Sequence, residues 1–158
     1  MKLLDSKKYK SLAESNFLNG YNDAQSIILA FKDVLKSDYK ALCKSSTPFG
    51  GGIARLRETC GALSGAIIVL GYLYGYCTPE TGEIKQNLYE LTQNFVFRFE
   101  KEFGSIHCRT LLNLKEDYDS PIPSIRDEKY YKNRPCKNII SKTAFMLAEY
   151  INELEKEI

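Results

Sequence analysis

Thr59-Cys60-Gly61-Ala62-Leu63-Ser64-Gly65-Ala66-Ile67-Ile68-Val69-Leu70-Gly71-Tyr72-Leu73-Tyr74-Gly75-Tyr76-Cys77-Thr78-Pro79 carries no charged side chain. Its length raises the question of a membrane span, and Gly61-x-x-x-Gly65 matches a packing motif of membrane helices. Gly61, Ser64, Gly65, Gly71, Gly75 and the tyrosines Tyr72, Tyr74 and Tyr76 interrupt it, however. No second apolar segment flanked by Lys or Arg accompanies it. A buried central helix from near Thr59 to Tyr76 accounts for the pattern, so no membrane insertion is expected. Gly61, Ala62, Gly65 and Ala66 give the first turns a small-residue face against which another helix packs tightly. The stretch ends in a turn, Thr78-Pro79-Glu80-Thr81-Gly82.

The segments on either side read as helices too. Ser6 to Leu18 is a first helix, stopped by Asn19-Gly20. Asn22 and Asp23 are good N-caps for a second, running to about Lys36 with Ala24, Ile27, Ile28, Phe31 and Leu35 at helical spacing. Asp38 to Cys43 is a short third helix, and Ser45-Ser46-Thr47-Pro48 breaks the pattern. Phe49-Gly50-Gly51-Gly52 then offers backbone angles closed to other residues, or a very close backbone approach. Beyond the central stretch, Glu83 to Phe103 is a long amphipathic helix with Gly104 as its stop. Cys108 to Leu112 is short. Lys115 to Asn133, polar and holding Pro121 and Pro123, reads as a long loop with one helical turn. Pro135, at the first helical position, opens a last helix. No segment alternates at period two. The expected fold is all-α, a single helical domain over 1–158 with five to seven helices around the central Gly/Ala-faced helix.

Composition narrows the function classes. The 158 residues are 44% hydrophobic and 27% charged, with a formal net charge of +2. That is an ordinary globular balance, and one domain is the prior. Lys7-Lys8-Tyr9-Lys10 reads as the solvated face of a helix, so no nucleic-acid partner is expected. Met1 to Lys10 has no apolar core of a signal peptide. Five cysteines without such a signal argue against a structural disulfide framework and for a reducing, cytoplasmic setting.

Three of those cysteines share a placement. Cys60 follows Thr59, a candidate N-cap; Cys108 follows the Gly104-Ser105 break; Cys136 follows Pro135. Each falls in the first turn of a predicted helix, where free N–H groups and the dipole favour negative charge. The expected result is a lowered thiol pKa, and the thiolate is both nucleophile and metal ligand. Cys43 and Cys77 read as structural. The one histidine, His107, precedes Cys108, and adjacent helical residues do not face each other, so it reads as a capping or surface residue. The chain has no P-loop, dinucleotide fingerprint, H-E-x-x-H or C-x-x-C.

Phe49-Gly50-Gly51-Gly52-Ile53, followed by Thr59-Cys60-Gly61-Ala62-Leu63-Ser64-Gly65-Ala66, resembles the C_GCAxxG_C_C family, a bacterial-type family described as redox-active with four characteristic cysteines. Gly20-Tyr21-Asn22-Asp23-Ala24-Gln25 is similar to its N-terminal motif. Phe103-Gly104-Ser105 with Cys108, and then Cys136, match its later cysteine positions. The resemblance spans Phe17 to about Tyr150. It places Asp23 where the family carries its first cysteine, so three of the four thiols remain. Asp23 shares their helix-start placement, and four helix N-termini, at 23, 60, 108 and 136, are expected to converge on one site.

The resemblance implies thiol–disulfide or electron-transfer chemistry, with Cys60, Cys108 and Cys136 as catalytic residues of a thiol-dependent oxidoreductase. The expected partner is a redox protein, with homodimerisation left open. The alternative is a Cys-ligated zinc or iron–sulfur site in which Asp23 or water joins Cys60, Cys108 and Cys136. A purely interactive role is the third reading.

Overall fold

The computed structural model describes residues 1–79, 81–116 and 118–158. Glu80, within the expected 78–82 turn, and Asp117, within the expected 115–133 loop, lie outside the described residues.

Helix α1, Ser6–Leu18, begins where the Asp5 carboxylate accepts from the N–H groups of Lys7 and Lys8. Its Tyr9, Ala13 and Phe17 recur at a spacing of one helical turn and are buried. Helix α2, Asp23–Ala30, opens on a capping box. The Asn22 side chain accepts from Gln25 N–H, and the Gln25 side chain accepts from Asn22 N–H. Asn22 is thus the cap, and Asp23 is the first helical residue. The expected continuation to Lys36 bends at Phe31, whose ring turns into the core and stacks on Tyr9 at 4.3 Å. A four-residue turn, α3, Lys32–Leu35, carries the chain on to Lys36 at φ +54°.

Helix α4, Tyr39–Ser46, runs past the point at which the serines were expected to end it. The Ser46 hydroxyl donates to Cys43 O at 2.8 Å, and Pro48 falls in the 3-10 turn Thr47–Phe49 that follows. The next turn, α5, Gly50–Ile53, contains left-handed backbone. The central helix α6, Gly61–Tyr74, has 14 residues, with Cys60 rather than Thr59 at its N-cap. Among the described residues no helix is long and apolar enough to cross a membrane. Helix α7, Gly82–Phe103, ends on Gly104 in the left-handed region. Then come α8, Cys108–Leu111, and α9, Glu128–Asn133, whose Asp127 cap accepts from Tyr130 N–H. Helix α10, Cys136–Glu157, follows Pro135, which sits at the N-cap one residue before the expected position.

Among the described residues, helices α3, α5 and α8 are each a single four-residue turn, and the seven other α-helices form the all-α fold. Among the described residues the only β pairing is an isolated antiparallel bridge, Thr59 with His107. Helix α1 lies along α10 and α2, and α2 along α6 and α4. The small face of α6 is what admits α2. A Cβ on Gly65 would stand 2.9 Å from Ala24 O and 3.0 Å from Ile27 Cβ, so the α2 backbone rests directly on it. Phe31, Phe95, Phe99, Leu63, Leu70 and Leu147 are fully buried, each side chain contributing roughly 1.5–3 kcal/mol. This packing holds the N-terminal ends of α2, α6 and α10 in one region of the molecule.

Candidate functional site

Asp23, Cys60, Cys108 and Cys136 line one small, partly open cavity together with Leu111, Leu112, Ile139 and Ile140. All four helix-start residues singled out from sequence therefore come together. The space for the centre of a water molecule is about 20 Å³, enough for one water. Cys60 and Cys108 are 7% and 6% exposed, and Cys136 is half-buried. All five cysteines are free thiols. Cys43 packs at the edge of the hydrophobic core, as its neighbours in sequence suggested. Cys77, also expected to be structural, is exposed, because α6 ends at Tyr74 before reaching it. His107 is exposed and makes no side-chain cap of α8.

Cys60 and Cys108 are positioned by backbone pairing. Cys60 N–H donates to Ile106 O at 2.8 Å, and Cys108 N–H donates to Glu58 O at 2.7 Å. Around the Thr59–His107 bridge, this places Cys60 opposite Ile106 and Cys108 opposite Glu58. Residues two apart on a strand share a face, so Cys60 and Cys108 are diagonal neighbours on the same side of the ladder. Arg109 reinforces the pairing, its Nε donating to Arg57 O at 3.2 Å and its Nη2 meeting Glu58 Oε1 at 2.6 Å.

The glycine run supplies the other wall. Gly51, Gly52, Ile53, Ala54 and Arg55 lie at φ +67°, +68°, +65°, +48° and +70°, and Arg57 at +60°. Left-handed backbone costs a non-glycine residue roughly 1–2 kcal/mol, so the loop persists only because its surroundings over-determine it. Ala54 N–H donates to Pro48 O and Glu58 N–H to Gly52 O, both at 2.8 Å. Arg55 Nε donates to Ser120 O at 2.7 Å, and Arg55 Nη1 to Ser124 Oγ at 2.8 Å. A Cβ on Gly52 would stand 2.6 Å from Cys108 Cβ and 2.8 Å from Glu58 N. The loop backbone is therefore in direct contact with Cys108. Gly61 does the same for the carboxylate: a Cβ there would lie 2.6 Å from Asp23 Oδ2.

The strained loop delivers a residue that sequence reasoning missed. Arg57 is only 2% exposed. Its Nε donates to Asp119 Oδ2 at 2.8 Å, and its Nη1 donates to Cys108 Sγ at 3.5 Å. Its Nη2 is enclosed and meets no acceptor among the described residues. In sequence Arg57 stands in the polar run Arg55-Leu56-Arg57-Glu58, which carries the signature of a solvated loop. Only the turn of the backbone after Gly52 sends its guanidinium inward. The Arg134 charge also acts on Cys108 and Cys136, its guanidinium held 4.5 Å over the Tyr130 ring.

The expected acid shift of the thiols is overturned. Burial pushes the Cys60 thiol well above its usual value, and Asp23 adds to that, against one N–H from Ala62. Burial and Asp23 push Cys136 up to about 12. Cys108 is raised by burial too, but there the Arg57 guanidinium works in the opposite direction. Asp23 is itself raised above the usual carboxylate range by burial, against hydrogen bonds from the backbone of Ala24, Gly51 and Gly61. The reason is desolvation: removing a thiolate from water costs more than one helix N-terminus returns, and α8 has too few residues to carry a large dipole. Among the described residues no three His, Cys, Asp or Glu side chains are arranged to hold a metal ion.

A family model matches residues 21–150 and is described as "Putative redox-active protein (C_GCAxxG_C_C)". No curated protein and no solved structure matches the chain.

Proposed function

The chain belongs to the C_GCAxxG_C_C family, and on that premise we propose that it is a thiol redox protein. Cys60 and Cys108 cycle between dithiol and disulfide, and Cys136 is the third thiol of the same site. One observation carries this reading: three cysteines far apart in sequence share one cavity with a carboxylate and beside a guanidinium. Oxidation of the pair releases two electrons and two protons as the S–S bond forms. Asp23, in the same cavity, is placed to take up a proton. Cys108 is the thiol from which the attacking thiolate forms, because Arg57 opposes the cost of its burial. Burial raises all three cavity thiols above their usual value, so the site rests as thiols, and Cys108 is the one with a guanidinium on its sulfur.

Diagonal neighbours on a two-stranded ladder stand about 7–8 Å apart, and a disulfide needs roughly 5.5–6 Å between Cα atoms. Closing the bond therefore requires a small shift of the short α8 turn toward α6. The test is to oxidise the reduced protein with diamide, block the remaining thiols and map the peptides by mass spectrometry. The expected result is the loss of two thiols per chain and a peptide linked through Cys60 and Cys108. Linkage through the exposed Cys77 alone, or no linkage, would refute the reading.

A further inference from the structure

The buried Arg57 guanidinium has a nitrogen that meets no acceptor among the described residues, and it lies beside a cysteine sulfur. Its Nε is taken by Asp119 and its Nη1 by Cys108 Sγ, while Nη2 is enclosed without an acceptor. Leaving a buried charged donor unmet costs more than an ordinary unmade hydrogen bond. The end of a guanidinium is a two-pronged donor that suits a pair of adjacent acceptors. A reduced cysteine offers one. A cysteine sulfur carrying an oxygen offers two, a bond length apart.

Access sets the second condition. Cys108 is 6% exposed behind Leu111 and Leu112. Thiol–disulfide exchange needs an approach to the sulfur by another sulfur and whatever carries it, and the surface of a partner protein cannot follow it into a narrow pocket set behind Leu111 and Leu112. The cavity admits something the size of one water.

We propose that Arg57 is an oxyanion receptor for Cys108, and that the oxidant of this site is a small hydroperoxide, with hydrogen peroxide as the simplest member. The inference rests on the thiol redox reading above. The Cys108 thiolate attacks one peroxide oxygen. The S–O bond forms, the O–O bond breaks, and the departing hydroxide takes a proton to leave as water. Arg57 holds the oxygen on sulfur through Nη2 while Nη1 stays on Sγ. The Cys60 thiol then attacks Cys108 Sγ, the S–S bond forms, and the oxygen leaves as a second water. In sum, two thiols and one hydrogen peroxide give one disulfide and two waters. Arg57 acts on the reacting atoms directly, whereas Asp119, which pairs with Arg57 and with Arg55, positions it.

The experiment uses the full chain carrying Cys60→Ser and Cys136→Ser, so that no cavity thiol removes the oxygen from Cys108. Reduced protein is exposed to limiting hydrogen peroxide in the folded state and is then unfolded in urea containing dimedone, so that the trap reaches Cys108 and Cys77 alike, and adducts on the two are counted by mass spectrometry. Cys108 is expected to be labelled faster than the exposed Cys77, the reverse of the order that exposure alone dictates. Arg57→Met should lower the Cys108 rate about 10²-fold, the scale of losing one oxyanion donor, with Arg57→Lys between the two because it keeps the charge and loses the fork. The Cys108-to-Cys77 ratio is read with Arg57 in place, so it stands even if the Arg57 variants unfold. Equal or faster labelling of Cys77 overturns the proposal. If the native chain forms the Cys60–Cys108 link with diamide but peroxide gives no Cys108 adduct, the oxidant class is wrong and the redox reading stands. If neither reagent touches the cavity thiols, both fail.

Discussion

Gly52→Ala adds one methyl group at the place where the glycine loop meets the site. Two costs are separable. Gly52 sits at φ +68°, ψ +55°, and alanine there loses roughly 1–2 kcal/mol relative to glycine. The new Cβ would also stand 2.6 Å from Cys108 Cβ, 2.8 Å from Glu58 N and 2.9 Å from Arg57 Cα. Two of those atoms are backbone, and none is the end of a flexible side chain, so the neighbours must move. Overpacking of this kind costs about 1–3 kcal/mol. The sum is about 2–5 kcal/mol, or a Tm lowered by roughly 4–20 °C at about 2–4 °C per kcal/mol. Gly104→Ala is the matched control. Gly104 lies at φ +87° with nothing within 4 Å of a built Cβ, so only the conformational cost of about 1–2 kcal/mol applies. Thermal and urea unfolding of both variants isolates the contact. In Gly52→Ala the diamide-induced Cys60–Cys108 link should also be slower, because the displaced group is Cys108 itself. A Gly52→Ala protein no less stable than Gly104→Ala would refute the argument that the loop backbone touches the site.

Two further outcomes follow from burial. The Asp23 carboxyl has a folded-state pKa above its ordinary 3.8, so the native state holds its proton more tightly than the unfolded chain. Its contribution to stability is complete below about pH 3.8 and is lost as pH rises through the folded-state value. Asp23→Asn, which keeps a carbonyl to accept the backbone N–H groups, should gain stability on the wild type as pH is raised through that window, as urea unfolding at a series of pH values will measure. A constant difference between the two proteins would count against a raised Asp23. Toward a bulky alkylating reagent at neutral pH, the order should be Cys77 first and Cys60 last, because Cys77 is exposed while Cys60 is buried and its pKa is pushed well above the usual value. Early labelling of Cys60 in the folded protein would show that the cavity admits the reagent.

Local chemistry alone determined much of this protein. The 3.6-residue spacing of Tyr9, Ala13 and Phe17, the Asn22–Gln25 capping box, the stops at Gly20 and Gly104 and the small face of Gly61 to Ala66 are all readable from neighbours in the chain. They define an all-α fold and a buried α6. The same logic put Asp23, Cys60, Cys108 and Cys136 at helix starts, and Asp23 and the three thiols do share one cavity. Where tertiary contacts compete with local preference, the sequence was silent or misleading. Phe31 bends α2 because its ring belongs in the core. Helix α4 outlasts its serines because Ser46 finds Cys43 O. The thiol pKa values rise where helix starts argued for a fall, since the dipole is a local property and desolvation depends on everything packed around the sulfur. Arg57 is the sharpest case. A charged residue in a polar run belongs in water by every local criterion. It is buried against Cys108 because five successive residues at positive φ turn the chain inward and residues 119–124 hold it there. That outcome depends on contacts between segments some sixty residues apart in the chain, and no property of either segment alone encodes it.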